Sequence, residues 1–540
     1  MANEEKDWTI IVYLSGDNNL AEETVFALKE MYRVGTSDRF NVVVLHDVGG
    51  EHYTFKIPEA KLATKVQRVG TAGSSLQAST STGGERLSFN LLSEREPFPP
   101  RKEKPHPEVI AEREVPANEY AETRRTKAER EESAALSDLL TQFIRKAIEE
   151  HPEPRRYMLV LSGHGAGALG HFLPSVQPSV RLTIPGMRLM FESLKKDLGD
   201  KFTGFDILGL DSCLMSMAEV AFEVQDHVRL MIGNEGFEPN TGWYYAAVLE
   251  TFHKRPGGKP EDIAKELANR YLEYYLDYAH GDVSVDQSVL HLRRLKPLQK
   301  FLNALSVDMI SKMKSTKDPE IRKAIVYAHW RAQAYKFEQY TDLWDFCRCL
   351  KQDKVLAETP LSADAQTLLA DDPQIKNLFD LCGKVQWSIE SESDGCVLLS
   401  DYVGPAFQHS HGVSIFFPWA DIKDPDNTTD RQRYQELRFA KVSRWDGFIS
   451  KYLEATHEEE RAGAGRLIPS NLNRRTVAMG GGKAGLPESD RAGLPESDRA
   501  GLPESDRAGL PESDRGALAA NITANIGHSK NPPVRWKRSK

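Results

Sequence analysis

The sequence predicts an α/β protein with a mostly parallel β-sheet and helices on both of its faces. Two apolar runs, 157–161 and 205–210, are typical of short buried strands. Each run ends at polar residues and is followed by a helix-like segment. Strands and helices alternate in this way through the first half of the chain. Because neighbouring parallel strands need crossover connections, usually helices, this alternation predicts a parallel sheet.

The individual elements follow from the spacing of apolar side chains. Leu20, Leu28 and Met31 recur at intervals that place them on one face of a helix. Pro185 suits the first turn of a later helix, because its missing N–H is not needed there. The first half has predicted strands at 8–14, 41–45, 157–161, 205–210 and 229–233 and predicted helices at 20–34, 136–148, 185–198 and 217–225.

The second half of the chain is less regular, and it predicts an α+β portion that packs on the first sheet or extends it. Helical periodicity and strand-like apolar runs both occur there without strict alternation. The predicted helices are at 261–278, 295–313, much of 319–350 and 445–457, and the predicted strands are at 283–292, 385–390, 396–402 and 413–417.

Composition narrows the class of protein. Of the 540 residues, 40% are hydrophobic and 28% are charged, as in globular proteins. The net charge of −9 is mild for this size and favours neither nucleic acid nor a membrane surface as a partner. No apolar run reaches the length of a membrane span, and the acidic first residues lack the apolar core of a signal peptide. An odd number of cysteines, five, favours a reducing compartment, so we expect a cytoplasmic protein.

Two segments are predicted to lie outside the folded core. Residues 86–133 form a charged insertion, rich in Pro, Glu, Arg and Lys, which we expect to be flexible. The tail, 461–540, contains four identical copies of an eight-residue unit at 484–515. A unit with one Leu and one Pro is too short to bury a core, so we expect a disordered linker. Either segment is a candidate for contact with a protein partner.

His164 and Cys213 closely follow the two apolar runs. Active sites of open parallel sheets form outside the carboxyl ends of the strands, so neighbouring strands would bring these two side chains together. A thiol beside an imidazole is the minimum requirement for a cysteine nucleophile. Taken singly, such a Cys is more often a small buried hydrophobe, and a His beside Gly is more often a turn residue. Their occurrence at equivalent strand ends favours a catalytic pair.

Neighbouring residues complete the predicted site. The backbone N–H groups of Gly165 and Cys213 are expected to hold the oxyanion, with glycine leaving room for the substrate carbonyl. Asp211 shares a strand face with Cys213 and is expected at the base of a pocket that selects Arg or Lys. The alternative is that its carboxylate caps the following helix or bonds to a turn. Asp17 and Glu235, which follow other predicted strands, are further candidates for the same rim.

Other kinds of site are not supported. Cys347 and Cys349 lie in a helical stretch without a second pair of ligands at zinc spacing. The chain has no P-loop, dinucleotide-binding glycine fingerprint or G-x-S-x-G turn, which weighs against a nucleotide-binding protein. We expect no required metal or other cofactor. Asp47 and Glu51 are candidate calcium ligands, but no EF-hand-like spacing supports such a site.

Several of these blocks together resemble the clostripain-like cysteine peptidases, relatives of the caspases, legumains and gingipains. The most specific blocks are His164-Gly165 and Asp211-Ser212-Cys213, in this order. The resemblance extends over about residues 8–455, interrupted by the insertion. Further matching blocks lie at 13–20, 242–245, 342–343 and 412–418.

The resemblance implies a caspase-like catalytic core at 1–255, completed by the α+β portion at 256–460. It implies an endopeptidase that hydrolyses peptide bonds after Arg or Lys through a dyad of Cys213 and His164. The expected partner is thus a protein or peptide substrate with a basic residue before the cut. The alternative is a catalytically silent caspase-like scaffold that binds partners through its insertion and tail.

Self-processing is a further implication of the resemblance. Clostripain-like relatives are matured by internal cleavage between the catalytic His and Cys. In that interval Arg181 lies in a loop-like stretch and is the expected point of cleavage. The basic stretch at 101–130 is an alternative, since it is expected to be accessible.

Overall fold

The computed structural model describes much of the chain as far as residue 462. Its described residues form an α/β architecture with helices on both faces of a mostly parallel sheet, as the sequence predicts. The described residues are 6–16, 18, 20–48, 51–59, 109–114, 125–151, 156–169, 182–278, 284–314, 319–335, 339–351, 373–421 and 429–462.

The described strands form a main sheet and a small second sheet. In chain order they are β1 Trp8–Ser15, β2 Phe40–Val48, β3 Glu51–Lys56, β4 Val109–Glu114, β5 Arg156–Ser162, β6 Phe205–Asp211, β7 Val228–Gly233, β8 Val285–His291, β9 Ala334–Tyr335, β10 Tyr340–Asp342, β11 Val397–Val403 and β12 Ser414–Phe416. The main sheet has the order β11-β8-β7-β6-β5-β1-β2-β3-β4, and the small antiparallel sheet has the order β9-β10-β12.

The middle of the main sheet is parallel, and its outer strands are antiparallel. Strands β2, β1, β5, β6 and β7 run in one direction. Every residue of β1 is buried, as is every residue of β5 after Arg156. Strands covered on both faces need apolar side chains in both directions, which is why these segments are continuous apolar runs in the sequence.

Two apolar cores lie on opposite faces of the main sheet. Leu159 and Leu161 of β5 belong to one core, and Met158 and Val160 belong to the other, because successive strand side chains point to opposite faces. The helices are α1 Ala21–Val34, α2 Arg125–Glu150, α3 Ile184–Leu198, α4 Ala218–Val224, α5 Tyr245–Lys254, α6 Pro260–Tyr278, α7 Leu295–Lys314, α8 Pro319–Arg331, α9 Leu343–Lys351, α10 Pro373–Glu390, α11 Asp430–Tyr434, α12 Arg438–Val442 and α13 Trp445–Ala462.

One prediction for the second half of the chain is wrong. The predicted strand at 385–390 is the last part of α10, where Val385 and Ile389 are buried at helical spacing. Much of 319–350 is helical as predicted, in α8 and α9, and the β9–β10 hairpin, in which Tyr335 pairs with Tyr340, lies between these two helices. Short apolar runs suit a buried strand and a buried helix equally, so periodicity alone could not decide between them.

Part of the insertion predicted at 86–133 forms regular structure. Strand β4 pairs antiparallel with β3 at the edge of the main sheet, and α2 begins at Arg125. A sheet edge offers unpaired backbone groups, so even a charged segment can form a strand there.

The repeats at 484–515 lie outside the described residues. Among the helices that are described, none has the length and apolar character needed to cross a bilayer.

Candidate active site

The register of β5 and β6 brings His164 and Cys213 to one edge of the main sheet. Ser162 lies opposite Asp211 in the parallel ladder, and the Gly163 N–H donates to the Asp211 carbonyl oxygen at 3.0 Å. His164 and Cys213 each follow two residues after this last pair. Both residues line the same cleft, at the carboxyl ends of the central strands.

Gly165 lies directly against the backbone of Cys213. A Cβ atom at position 165 would be 2.3 Å from the Cys213 carbonyl oxygen and 3.1 Å from its backbone nitrogen. Both contacts are with backbone atoms, which cannot move aside without shifting Cys213. The glycine therefore leaves room for the turn that carries Cys213. Its expected second role, to leave room for the substrate carbonyl, stays a prediction.

The sulfur of Cys213 faces the backbone of Glu238. The Glu238 N–H donates to Cys213 Sγ at 3.2 Å, and the thiol lies 3.5 Å from the Glu238 carbonyl oxygen. The next residue, Leu214, has a φ of 66°, and no other non-glycine residue in the described ranges has a positive φ. A hydrogen bond of 2.9 Å from its N–H to the Gly236 carbonyl holds this conformation. Such sparsely populated backbone conformations cluster at functional sites.

The cleft beside His164 and Cys213 is acidic. Three carboxylic side chains are among its lining residues: Glu23 on α1, Asp211 at the end of β6 and Glu238 in the loop after β7. Glu23 is part-exposed, and no described Lys or Arg forms an ion pair with it. Sequence reasoning found Asp211 but missed Glu23 and Glu238.

The Asp211 carboxylate accepts hydrogen bonds from the segment at 242–245. Its Oδ1 accepts the Trp243 N–H at 2.8 Å, and its Oδ2 accepts the Tyr245 hydroxyl at 2.7 Å. Gly242 packs on the same group, since a Cβ there would lie 2.6 Å from Oδ1. These contacts favour the alternative in which Asp211 bonds to a turn. They are also compatible with a pocket role, because Asp211 lines the cleft.

Glu238 and Asp211 form a buried carboxyl pair in the lining of the cleft that contains Cys213. Their side chains are 6% and 4% exposed, and they are in contact through their carboxyl groups. Burial, with the Asp211 charge as a second cause, raises the pKa of Glu238 well above its ordinary value. Burial also raises the pKa of Asp211, and the hydrogen bonds that it accepts oppose this increase.

Two other groups in the cleft have shifted pKa values. Burial lowers the pKa of His164 below its ordinary value of 6.5, so its imidazole is neutral at neutral pH. Burial raises the pKa of Glu23 to about 7, and its own backbone N–H and the charge of Glu22 are weaker influences. The negative charge of Glu23 therefore develops as the pH rises through neutrality.

The structure does not place Glu235 at the rim of the cleft. Its side chain is fully buried and forms a carboxylate cluster with Asp286 and Asp342. Its Oε2 accepts the Gly412 N–H at 2.6 Å, and Asp286 accepts the Glu235 N–H at 2.7 Å. A position just after a strand does not fix the direction of a side chain, and here the carboxylate points into the junction with the C-terminal portion. Asp17 and Arg181, the other predicted residues, lie outside the described residues.

The cysteines differ in exposure. Cys213 is part-exposed, whereas the other four, Cys347, Cys349, Cys382 and Cys396, are buried, and all five are free thiols. Within the described ranges, no group of three or more His, Cys, Asp or Glu side chains is arranged to hold a metal ion.

Comparison with known proteins gives a family and several similar structures. The model of the clostripain family matches residues 12–452. A secreted C11 cysteine protease of Bacteroides thetaiotaomicron, solved with an irreversible peptide inhibitor, is 15% identical, with 82% of this chain and 99% of that chain covered and a TM-score of 0.45. The inactive zymogen of a C11 protease from Parabacteroides distasonis is 17% identical, with 82% and 99% covered and a TM-score of 0.44. A search of curated proteins gave no match.

Proposed function

Because the chain belongs to the clostripain family of cysteine proteases, we propose that it is an endopeptidase that cuts after Arg or Lys through a dyad of Cys213 and His164. The observation that carries the proposal is that these two residues line one cleft whose other lining residues include three carboxylic acids. The substrate is a protein or peptide with a basic side chain before the cut.

The proposed reaction begins with attack of Cys213 Sγ on the scissile carbonyl carbon. The thiol proton passes to His164, whose lowered pKa keeps the ring neutral and able to accept it. His164 returns the proton to the amine as the C–N bond breaks, which leaves a thioester on Cys213. Water then gives a proton to His164 and attacks the thioester, and that proton restores the thiol. None of these steps requires a cofactor.

Backbone N–H groups of Gly165 and Cys213 are the proposed donors to the oxyanion. The Gly165 N–H has no acceptor among the described residues, so it is available to a substrate oxygen. Its position against the Cys213 backbone supports this assignment, because it brings the backbone of Gly165 close to that of the proposed nucleophile.

The acids of the cleft support the proposed preference for Arg or Lys. A cationic side chain that leaves water needs a charged partner. Glu23 forms no ion pair with a described Lys or Arg, so a substrate cation would not have to displace such a residue. The test is kcat/KM on four fluorogenic peptides that differ at the residue before the cut: Arg, Lys, citrulline and Asp. A preference of at least about 100-fold for Arg or Lys over citrulline supports the proposal. Absence of hydrolysis of all four would favour the scaffold alternative.

Glu23→Gln is expected to lower the ratio of kcat/KM for Arg over citrulline peptides by about ten-fold at alkaline pH, because the variant lacks one charge in the cleft. At acid pH the ratio should change little, since the pKa of about 7 leaves Glu23 mostly uncharged there. The neighbouring Glu22→Gln is the matched control, because Glu22 is exposed and outside the cleft lining. Equal effects of the two substitutions would show that Glu23 does not contribute to binding of the basic side chain.

Two further features of the proposal concern the chain itself and its location. Self-cleavage after Arg181 is part of the proposal, with the basic stretch at 101–130 as the alternative site. A cytoplasmic location remains a prediction from the cysteine count, and the Bacteroides thetaiotaomicron proteins are described as secreted.

A further inference from the structure

The carboxyl pair of Asp211 and Glu238 has more acceptor atoms than donors. Both oxygens of Asp211 accept hydrogen bonds from the segment at 242–245. The Oε1 atom of Glu238 is fully buried and has no donor among the described residues. Two carboxyl groups in contact at such a site hold a proton between them, because two adjacent buried charges would repel each other.

The surroundings favour retention of that proton in the empty enzyme. Three groups face Glu238 from other elements: Tyr271 of α6, Asp286 of β8 and Asp211 itself. Tyr245 of α5 faces Asp211. Burial and the charge of Asp211 raise the pKa of Glu238, the charge of Asp286 adds to this increase, and the Tyr271 hydroxyl opposes it to a smaller extent than burial and Asp211. The proton is assigned to Glu238 because both oxygens of Asp211 accept hydrogen bonds, from the Trp243 N–H and the Tyr245 hydroxyl, whereas Oε1 of Glu238 has no donor among the described residues.

We propose that Glu238 is a specificity-determining carboxyl that is neutral in the empty cleft and becomes charged when a basic side chain enters. This inference rests on the proposed function, since it requires that the cleft binds the Arg or Lys side chain of the substrate. The entering cation lowers the affinity of the pair for its proton, which passes to solvent. The empty cleft thus avoids an unpaired buried charge, and the occupied cleft holds two carboxylates against one cation.

The proposed step transfers one proton from the carboxyl pair to solvent. The Glu238 carboxylic acid and the Asp211 carboxylate, with one bound guanidinium or ammonium, become two carboxylates and one released proton. No covalent bond to carbon changes. Binding of a cationic ligand must therefore release a proton and strengthen as the pH rises, whereas binding of a neutral isostere must do neither.

The test is calorimetric titration of the full-length protein with benzamidine, a small aromatic cation, in buffers of different ionisation enthalpy. We use the Glu23→Gln variant as the background, so that the other titrating acid of the cleft does not contribute. Near neutral pH, the expected result is the release of about one proton per bound benzamidine, against none for the neutral isostere benzamide. In the Glu238→Gln variant of the same background, proton release should disappear and binding should weaken about ten-fold.

The outcomes separate the inference from the proposed function. Binding of benzamidine with the same heat in every buffer would overturn the inference and leave the preference for basic residues intact. Loss of affinity in Glu238→Gln with undiminished proton release would also overturn it, because the proton would then come from another group. Failure of the wild-type protein to prefer Arg or Lys peptides would instead remove the proposed function, on which the inference depends.

Discussion

Cys213→Ala is expected to abolish peptide hydrolysis and to leave the fold intact. The thiol forms the covalent intermediate in the proposed reaction, and no neighbouring group can replace it. The side chain is half-buried just after the end of β6, so the loss of one sulfur atom removes little packing. The measurement is kcat/KM on an Arg peptide, with the circular dichroism spectrum and melting temperature of both proteins as the check on folding. Retention of most of the activity would contradict the assignment of the nucleophile.

Alkylation and intact mass give an independent control for the same variant. Because the other four cysteines are buried, iodoacetamide should add a single group to the native wild-type protein and none to Cys213→Ala. The wild-type protein should also show cleavage after Arg181, which the variant should lack. Wild-type enzyme that is fully active as an intact chain would show that self-cleavage is not required.

Gly165→Ala is expected to lower kcat/KM by about 100-fold, because the new methyl group would displace Cys213, the proposed nucleophile. Its Cβ would lie 2.3 Å from the Cys213 carbonyl oxygen, and no flexible side chain can move to make room. The loss should appear in kcat more than in KM, since the attacking atom moves while the acidic wall of the cleft stays in place. Steady-state kinetics on Arg peptides measures both parameters.

Gly257→Ala is the matched control for Gly165→Ala. A Cβ added at position 257 would have no heavy atom within 4 Å, so the same substitution should leave activity and stability near those of the wild type. A Gly165→Ala variant with kinetics equal to those of the control would show that the backbone at Cys213 can move without loss of activity. Gly165 would then have no required role in the site.

The central part of the fold was predictable from sequence because burial on both faces leaves a strong pattern. Strands β5 and β6 are continuous apolar runs, and their positions fixed the placement of His164 and Cys213. The presence of His164 and Cys213 in one cleft follows from the pairing of these two strands and from the convergence of residues at the carboxyl ends of parallel strands. The family resemblance at the segment 242–245 also has a physical reason. This segment donates two hydrogen bonds to the Asp211 carboxylate and packs on it through Gly242.

The rest of the site could not be predicted because it depends on contacts between distant segments. Glu23 lies on a helix beside the exposed Glu22, and nothing in the local sequence separates the two. Glu238 lies in an irregular loop whose path is fixed by backbone contacts with Cys213 and by Asp286. The direction of the Glu235 side chain could not be predicted for the same reason. It is set by the hydrogen bond from the Gly412 N–H, and Gly412 is 177 positions away in the chain.

The interval that contains Arg181 lies between two strands that are immediate neighbours in the main sheet. Strand β5 precedes it and β6 follows it, and five residue pairs join them in parallel register. A cut at Arg181 would give two polypeptides on a denaturing gel, yet each would keep its strand in the middle of one continuous sheet. The products should therefore elute together from a sizing column, and each fragment alone should be insoluble. The nicked enzyme would then be a heterodimer in composition, with a division that runs through the centre of a domain.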